Sequence, residues 1–321
     1  MEITIGGVIF WPLVGFAIAA IAGAVALPLL KRLQFRQHAY EDAPETHQKK
    51  TGTPTMGGVV FAVAMLALLW PAPTPLSTAL VLLVVLCALI GFIDDYMSIR
   101  RGRNLGLRAR TKFLATALVA IYFLRTVSES TSLFPRDVIF HAGTYAMTVP
   151  HWLWLLLGIL AVTGTIHAVN LTDGLDGLAS GTMIPPLIAL SAIGIVTAPA
   201  AAHAAWLGLG ACVGFLLYNR HPAKMFMGDT GSLALGALLS GVAILEGEML
   251  LLILIGGVFV AEALSVILQV TYFKLTKGKR IFRMSPLHHH FELGGLKETA
   301  VTTRFWMASA LLSLLGWVLA R

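Results

Sequence analysis

The strongest constraint on this 321-residue chain is its series of long apolar runs separated by polar joints. A helix needs about 20 mainly apolar residues to cross the hydrocarbon of a bilayer, where only a helix or a closed barrel satisfies its own backbone hydrogen bonds. Ten runs reach or approach that length, at 9–30, 56–71, 77–97, 111–127, 150–169, 177–197, 203–219, 233–246, 248–273 and 304–320, the second and eighth being short. Composition agrees, with 57% hydrophobic and 12% charged residues and a mean hydropathy of +0.81. A soluble domain carries about 25% charged residues, so that class is excluded. The expected fold is an all-α integral membrane protein of about ten transmembrane helices, forming one multi-pass domain over 1–321. The first run precedes Lys31 and Arg32 instead of following a basic stretch, so a retained anchor is expected. Cys87 and Cys212 lie inside apolar runs, which favours packing over a disulfide or a thiolate metal site.

An even number of crossings puts both termini on one side. All but Arg125, Arg136 and Arg321 of the 23 Lys and Arg fall in loops on the other side. Cytoplasmic loops collect basic residues, so the termini are expected outside and the basic loops in the cytoplasm. The formal net charge of +7 then reflects orientation and attraction to anionic headgroups, and nucleic acid is not implied. The outer loop 128–149 is expected to form a short hairpin or a surface helix.

Acids are costly in a bilayer, so their placement is informative. Asp94 and Asp95 close the third run in GFIDDY, Asp173 and Asp176 follow the fifth in NLTDGLDG, and Asp229 follows the seventh in FMGDTGS. All five fall at cytoplasmic ends beside basic loops, which points to one shared site at the inner surface; polar helix ends are the plainer alternative. Such a site suits phosphate chemistry with a hard divalent ion, because Mg²⁺ takes oxygen ligands and usually keeps one or two carboxylates with substrate phosphates. Asp94 and Asp95 are about 100° apart on a helix and are expected to have different jobs rather than to chelate one ion from one face. An acidic pair at a helix C-terminus opposes the macrodipole, so a nearby cation is expected. Asn170, Asp173 and Asp176 recur every three residues and are expected along one flank, or else in a side-chain-capped turn.

His288, His289 and His290 stand together in SPLHHHFE. Successive side chains diverge, which argues against a three-histidine metal site and for rings that donate to phosphate oxygens. His167, His203 and His221 read as structural. Glu262 lies near the middle of the ninth run, either functional or facing the bundle and hydrogen-bonded, and is left outside the expected site. Gly256 and Gly257 before it allow a kink.

The chain resembles the phospho-N-acetylmuramoyl-pentapeptide transferase family, within the polyprenyl-phosphate N-acetylhexosamine-1-phosphate transferase superfamily. The resemblance covers nearly the whole chain and rests on KKTGTPTMGG (49–58), GFIDDY (91–96), NLTDGLDGLA (170–179), FMGDTGSLALG (226–236) and IFRMSPLHHHFE (281–292). It implies a ten-helix protein of the bacterial inner membrane with its active site at the cytoplasmic face. The implied reaction joins phospho-MurNAc-pentapeptide from UDP-MurNAc-pentapeptide to undecaprenyl phosphate, giving lipid I and UMP, with Mg²⁺ as cofactor and Asp229 as its ligand. The resemblance implies Asp94, Asp95, Lys112 and the three histidines near the reacting phosphates. Lys50, Thr55, Asn170, Asp173, Asp176 and Asn219 match positions that bind nucleotide or organise the site, and Phe226 one that stacks on uracil. GFIDDY is not followed by the second half of the DDxxD pattern of prenyl synthases. Membrane lipid is a further expected partner, and a homodimer is possible. Two other classes stay open, a sister transferase using another UDP-sugar and a transporter of polyprenyl-linked cargo.

Overall fold

The computed structural model describes residues 5–33, 52–70, 72–102, 106–130 and 137–321. In chain order its elements are α1 (Ile5–Arg32), α2 (Val59–Leu66, continued by a 3₁₀ turn Ala67–Leu69), α3 (Pro75–Arg101), α4 (Ala109–Glu129), β1 (Val138–Ala142), β2 (Tyr145–Thr148), α5 (His151–Thr172), α6 (Leu178–Thr197), α7 (Pro199–Asn219), α8 (Gly228–Leu245), α9 (Leu252–Ile255), α10 (Gly257–Leu275), α11 (Leu287–Glu292) and α12 (Glu298–Leu319). Nine of these, α1, α3 to α8, α10 and α12, are long and apolar enough to cross a membrane. The chain is a multi-pass, all-α membrane protein. The expected second crossing is only Val59–Leu69. At 1.5 Å per residue that is about 16 Å, half the hydrocarbon thickness, so the count of full-length crossings among the described residues is nine.

The centre is α8, in which every residue from Thr230 to Leu245 is buried. Its small residues let neighbouring backbones approach closely, the usual means of packing helices in lipid. A Cβ on Gly236 would lie 2.5 Å from Ile166 Cα of α5, and one on Gly241 would lie 2.5 Å from Leu80 of α3. On the flank, α1 packs along α7, where Gly210 leaves room for the Pro12 carbonyl and Tyr218 Oη donates to the Ala20 carbonyl at 2.6 Å. Both cysteines are buried and free.

Two interruptions matter. The expected ninth run begins as the single turn α9 and restarts at Gly257 after Gly256, as the paired glycines suggested. The loop before α5 forms a hairpin, β1 antiparallel to β2, which sits at the end of the bundle opposite the basic loops. There Leu250 N–H donates to the Ile139 carbonyl at 2.7 Å.

Candidate active site

The site is assembled around the N-terminus of α8. Its own N-cap residue, Met227, provides no side-chain cap, so the first N–H groups need acceptors from elsewhere. Asp95 of α3 supplies them. Its carboxylate accepts from Asp229 N–H at 3.1 Å, Thr230 N–H at 3.0 Å and Thr230 Oγ1 at 2.7 Å. The approach depends on Gly91, where a Cβ would lie 2.2 Å from the Asp229 carbonyl oxygen. It also depends on Gly228 (φ 69°), a left-handed position with Asp95 Oδ2 and Thr55 Oγ1 closed around it.

Asp94, the other member of the pair, accepts from Leu107 N–H at 2.9 Å and faces Lys112 Nζ at 3.1 Å. Lys112, from the first turn of α4, also contacts Asp229 directly. The cation expected from the sequence is therefore present and bridges two carboxylates. Asp229 Oδ1 accepts from Asn170 Nδ2 at 2.7 Å, and the same amide donates to Ser232 Oγ at 2.9 Å. Asp173, just past the end of α5, accepts from Gly228 N–H; burial, followed by the carboxylates of Asp229, Asp95 and Asp176, pushes its pKa up to about 8.

Asp94, Asp95 and Asp229 each offer an oxygen, all within 4.8 Å of one another. The two neighbours differ in their partners, as expected: Asp95 holds the start of α8 while Asp94 faces Lys112, and Asp229 joins them from another helix. The dipole argument is corrected, because α3 continues to Arg101 and the pair is not at its end. Hard carboxylate oxygens such as those of Asp94 and Asp229 suit a divalent ion of the magnesium kind, and the Lys112 ammonium already lies between the two as a positive stand-in.

The remaining expected residues divide. Segment 54–58 runs alongside 226–227, with Phe226 N–H donating to the Pro54 carbonyl at 2.8 Å and Gly57 N–H to the Phe226 carbonyl at 2.9 Å. Thr55 and the half-buried Phe226 thus border the acids. Lys50 lies outside the described residues. Asp176 turns away from the trio. It accepts from Ala223 N–H at 2.9 Å and meets His221 Nδ1 at 3.1 Å, while its own N–H donates to Glu298 Oε1 at 2.7 Å. The one-flank expectation fails here because α5 ends at Thr172 and the left-handed Gly177 (φ 72°) starts α6 in a new direction. Asn219 is engaged within the fold, accepting from Gly177 N–H at 3.1 Å and donating to the Met225 carbonyl at 3.1 Å.

The histidine run forms α11; the rings of His288 and His289 lie close, 4.2 Å between centroids, yet each of the three rings has a different partner. His288 is buried with Nδ1 3.0 Å from Glu262 Oε1, His289 Nδ1 lies 2.9 Å from Glu292 Oε2, and His290 Nδ1 accepts from Arg283 N–H at 3.1 Å. The ring of His288 lies against Gly174, next to Asp173. Of the single histidines, His167 packs on Phe113 and lies 3.2 Å from Thr116 Oγ1, and His203 stacks on Trp11. Sequence reading missed Ser232 and Thr230, which only the α8 geometry reveals, and Glu298, whose one signal was an acid opening a helix.

A bilayer-embedded bundle that gathers carboxylates, an amide and a lysine at its basic end is equipped for phosphoryl chemistry. Residues 77–247, more than half the chain, match the family described as Glycosyl transferase family 4, and the protein is a membrane transferase of that class. Among curated relatives, the phospho-N-acetylmuramoyl-pentapeptide-transferase of Heliobacterium modesticaldum is 48% identical over 318 residues, 96% of each chain. That of Desulforudis audaxviator is 44% identical over 94% of this chain and 95% of its own, and that of Bacillus subtilis 42% over 96% of each. The chain belongs to the phospho-N-acetylmuramoyl-pentapeptide-transferase family.

Proposed function

We propose that this protein transfers phospho-MurNAc-pentapeptide from UDP-MurNAc-pentapeptide to undecaprenyl phosphate, releasing UMP and forming lipid I. The observation that carries the reading is the Asp94–Lys112–Asp229 bridge capped by Asp95 at the N-terminus of α8. The basic loops at this end support a cytoplasmic site in the bacterial inner membrane, where a dissolved nucleotide sugar and a bilayer lipid can meet. An apolar cavity of about 220 Å³ between α5 and the α9–α10 break, lined by Leu160, Gly164, Ala168, Gly256 and Phe259, supports a polyprenyl partner. Exposed Leu160, Ile253 and Leu264 open it to the lipid.

Asp229, with Asp94 beside it, would hold a Mg²⁺ ion, which supplies charge neutralisation on the diphosphate. A lipid phosphate monoester has a second pKa of about 6 and is mostly dianionic at neutral pH, so a strong general base is unnecessary. Asp94, held by Leu107 N–H and Lys112, orients that phosphate for a one-step displacement at the sugar-linked phosphorus. Lys112 offsets charge on the leaving nucleotide, and Asn170 keeps Asp229 in one rotamer. Phe226 offers a face for uracil, and Lys50 and Thr55 a border for the nucleotide; Asp173, Asp176 and Asn219 organise the turn after α5 and the loop between α7 and α8 that shape it.

The test is UMP release by the purified protein from UDP-MurNAc-pentapeptide with Mg²⁺, with and without polyprenyl phosphate. Release that requires the lipid supports the reading. Turnover only with a different UDP-sugar, or cargo flux without UMP, would refute it, and a trapped enzyme–phosphosugar adduct would overturn the one-step route.

A further inference from the structure

The six-residue α11 carries the histidine run, and nothing in its own sequence holds its start, because Pro286 at the N-cap provides no side-chain acceptor. The acceptor is Glu262, fully buried in α10. Its Oε2 accepts from Leu287 N–H at 2.6 Å, and its Oε1 accepts from His288 N–H at 3.2 Å and lies 3.0 Å from His288 Nδ1. A carboxylate oxygen only accepts, so Nδ1 carries the hydrogen in this pair.

That assignment leaves Nε2 as the ring atom still to be used. His288 is 1% exposed, and its Nε2 has no hydrogen-bond partner within the structure. A buried polar atom without a partner costs about 1–3 kcal/mol, so one on a residue held by two hydrogen bonds on its other side asks for an explanation. It points to the backbone of the Asp173–Gly174 turn: a Cβ on Gly174 would lie 2.2 Å from it. The same turn reaches the acidic centre, since Asp173 accepts from Gly228 N–H at the start of α8.

We propose that Glu262 is a positioning residue for the transfer: it grips His288 through Nδ1–H and so presents Nε2 to a phosphate oxygen of the nucleotide-sugar substrate beside the Asp173–Gly174 turn. This rests on the transferase reading above. For Nε2 to donate to a phosphate, the ring takes one proton from water and becomes an imidazolium, with Nδ1–H still on Glu262 and Nε2–H on the phosphate. The dyad passes from one negative charge to none, so the carboxylate stabilises the cation as it forms, the part an orienting acid plays behind any working histidine. An acid that merely capped α11 would need no charge for the ring.

The experiment is a double-mutant cycle on the full-length protein in nanodiscs, Glu262→Gln, His288→Gln and the pair, scored by kcat and KM for UMP release. Glutamine retains an acceptor oxygen for the helix start but lacks the charge. The expected result is a fall in kcat of about tenfold or more for Glu262→Gln with little change in KM, and a pair no worse than His288→Gln alone. Wild-type kcat in Glu262→Gln, or losses that multiply in the pair, would overturn the proposal. A ¹⁵N spectrum of histidine-labelled wild-type protein, with His288 assigned from the His288→Gln variant, reads the ring without turnover. Nδ1 protonated and Nε2 bare in the free protein is expected, and the reverse tautomer refutes the dyad even if the variant fails to fold. If the wild-type protein releases no UMP whatever its tautomer, the transferase reading itself has failed.

Discussion

Asp95→Asn separates the two tasks of the acidic pair. In the folded protein both Asp95 oxygens are occupied, Oδ1 by Asp229 N–H and Oδ2 by the N–H and hydroxyl of Thr230. An asparagine keeps one acceptor. If its oxygen stays with Thr230, its amide hydrogens face Asp229 N–H, and that donor is left without a partner at the buried start of α8. The lost acceptor costs about 1–3 kcal/mol. Loss of the negative charge facing the positive end of the α8 dipole adds about 0.3–1 kcal/mol, and up to about 2 kcal/mol in buried geometry. The expected destabilisation is therefore about 1–4 kcal/mol. Asp229→Asn and Asp94→Asn behave differently, because each leaves the α8 cap in place. The assay is thermal unfolding of the purified protein in one detergent, run beside UMP release. Asp95→Asn is expected to lower both stability and turnover, and the other two variants to lower turnover alone. An Asp95→Asn protein that melts with wild type would show that the capping argument is wrong.

Asp229→Asn is expected to stay folded and to lose Mg²⁺-dependent UMP release by at least about 100-fold, the scale of removing one preorganised electrostatic group; near-normal turnover would contradict its role as ion ligand. Lys112→Met leaves Asp94 and Asp229 facing each other uncompensated, so turnover should fall by a similar factor, and the melting temperature should drop and then partly recover when Asp94→Asn is added. Gly174→Ala drives a methyl into His288 Nε2 and should depress kcat with the protein still folded, read as UMP release beside thermal unfolding. At the opposite end, burial raises Glu246 well above the ordinary glutamate value, and burial raises Glu248 to about 7. The unfolded chain loses these protons near 4.5 while the folded one keeps them, so their effect on stability worsens as pH rises from 4.5 through about 7. Glu246→Met should melt higher than wild type at pH 7.5 and show a shallower fall across that window; an unchanged slope would count against the buried-acid account.

Much of the fold and half of the site could be read from residues alone, for one physical reason. Lipid penalises every unpaired polar group, so apolar runs mark crossings and acids are confined to places that repay them. That logic brings GFIDDY and FMGDTGS to one end of the bundle, where Lys112 lies between Asp94 and Asp229. It fails where local backbone decides direction. Nothing in the three-residue rhythm of Asn170, Asp173 and Asp176 announces that Gly177 turns left-handed and sends Asp176 to His221 and Glu298. Nor does run length reveal that the second crossing stops at Leu69, because the approach to it is spent on the extended pairing of 54–58 with 226–227.

The same device recurs at the starts of α8 and α11. Each element starts without a cap of its own, α8 at Met227 and α11 at Pro286. Each is capped from a neighbouring span by a buried carboxylate, Asp95 for α8 and Glu262 for α11. In both, the capping acid also fixes the residue that bears the chemistry, through Asp229 N–H in one and His288 Nδ1 in the other. A cap within the same loop would set a helix start only relative to that loop, whereas a cap from another helix sets it relative to the bundle. The second arrangement ties Asp229 and His288 to one rigid frame, which the proposed transfer between a soluble and a membrane-bound phosphate would require. On this view the doubled aspartate of GFIDDY is a division of labour: Asp94 faces Lys112 and, in the proposed transfer, would face the reacting phosphates, while Asp95 holds the helix that carries Asp229.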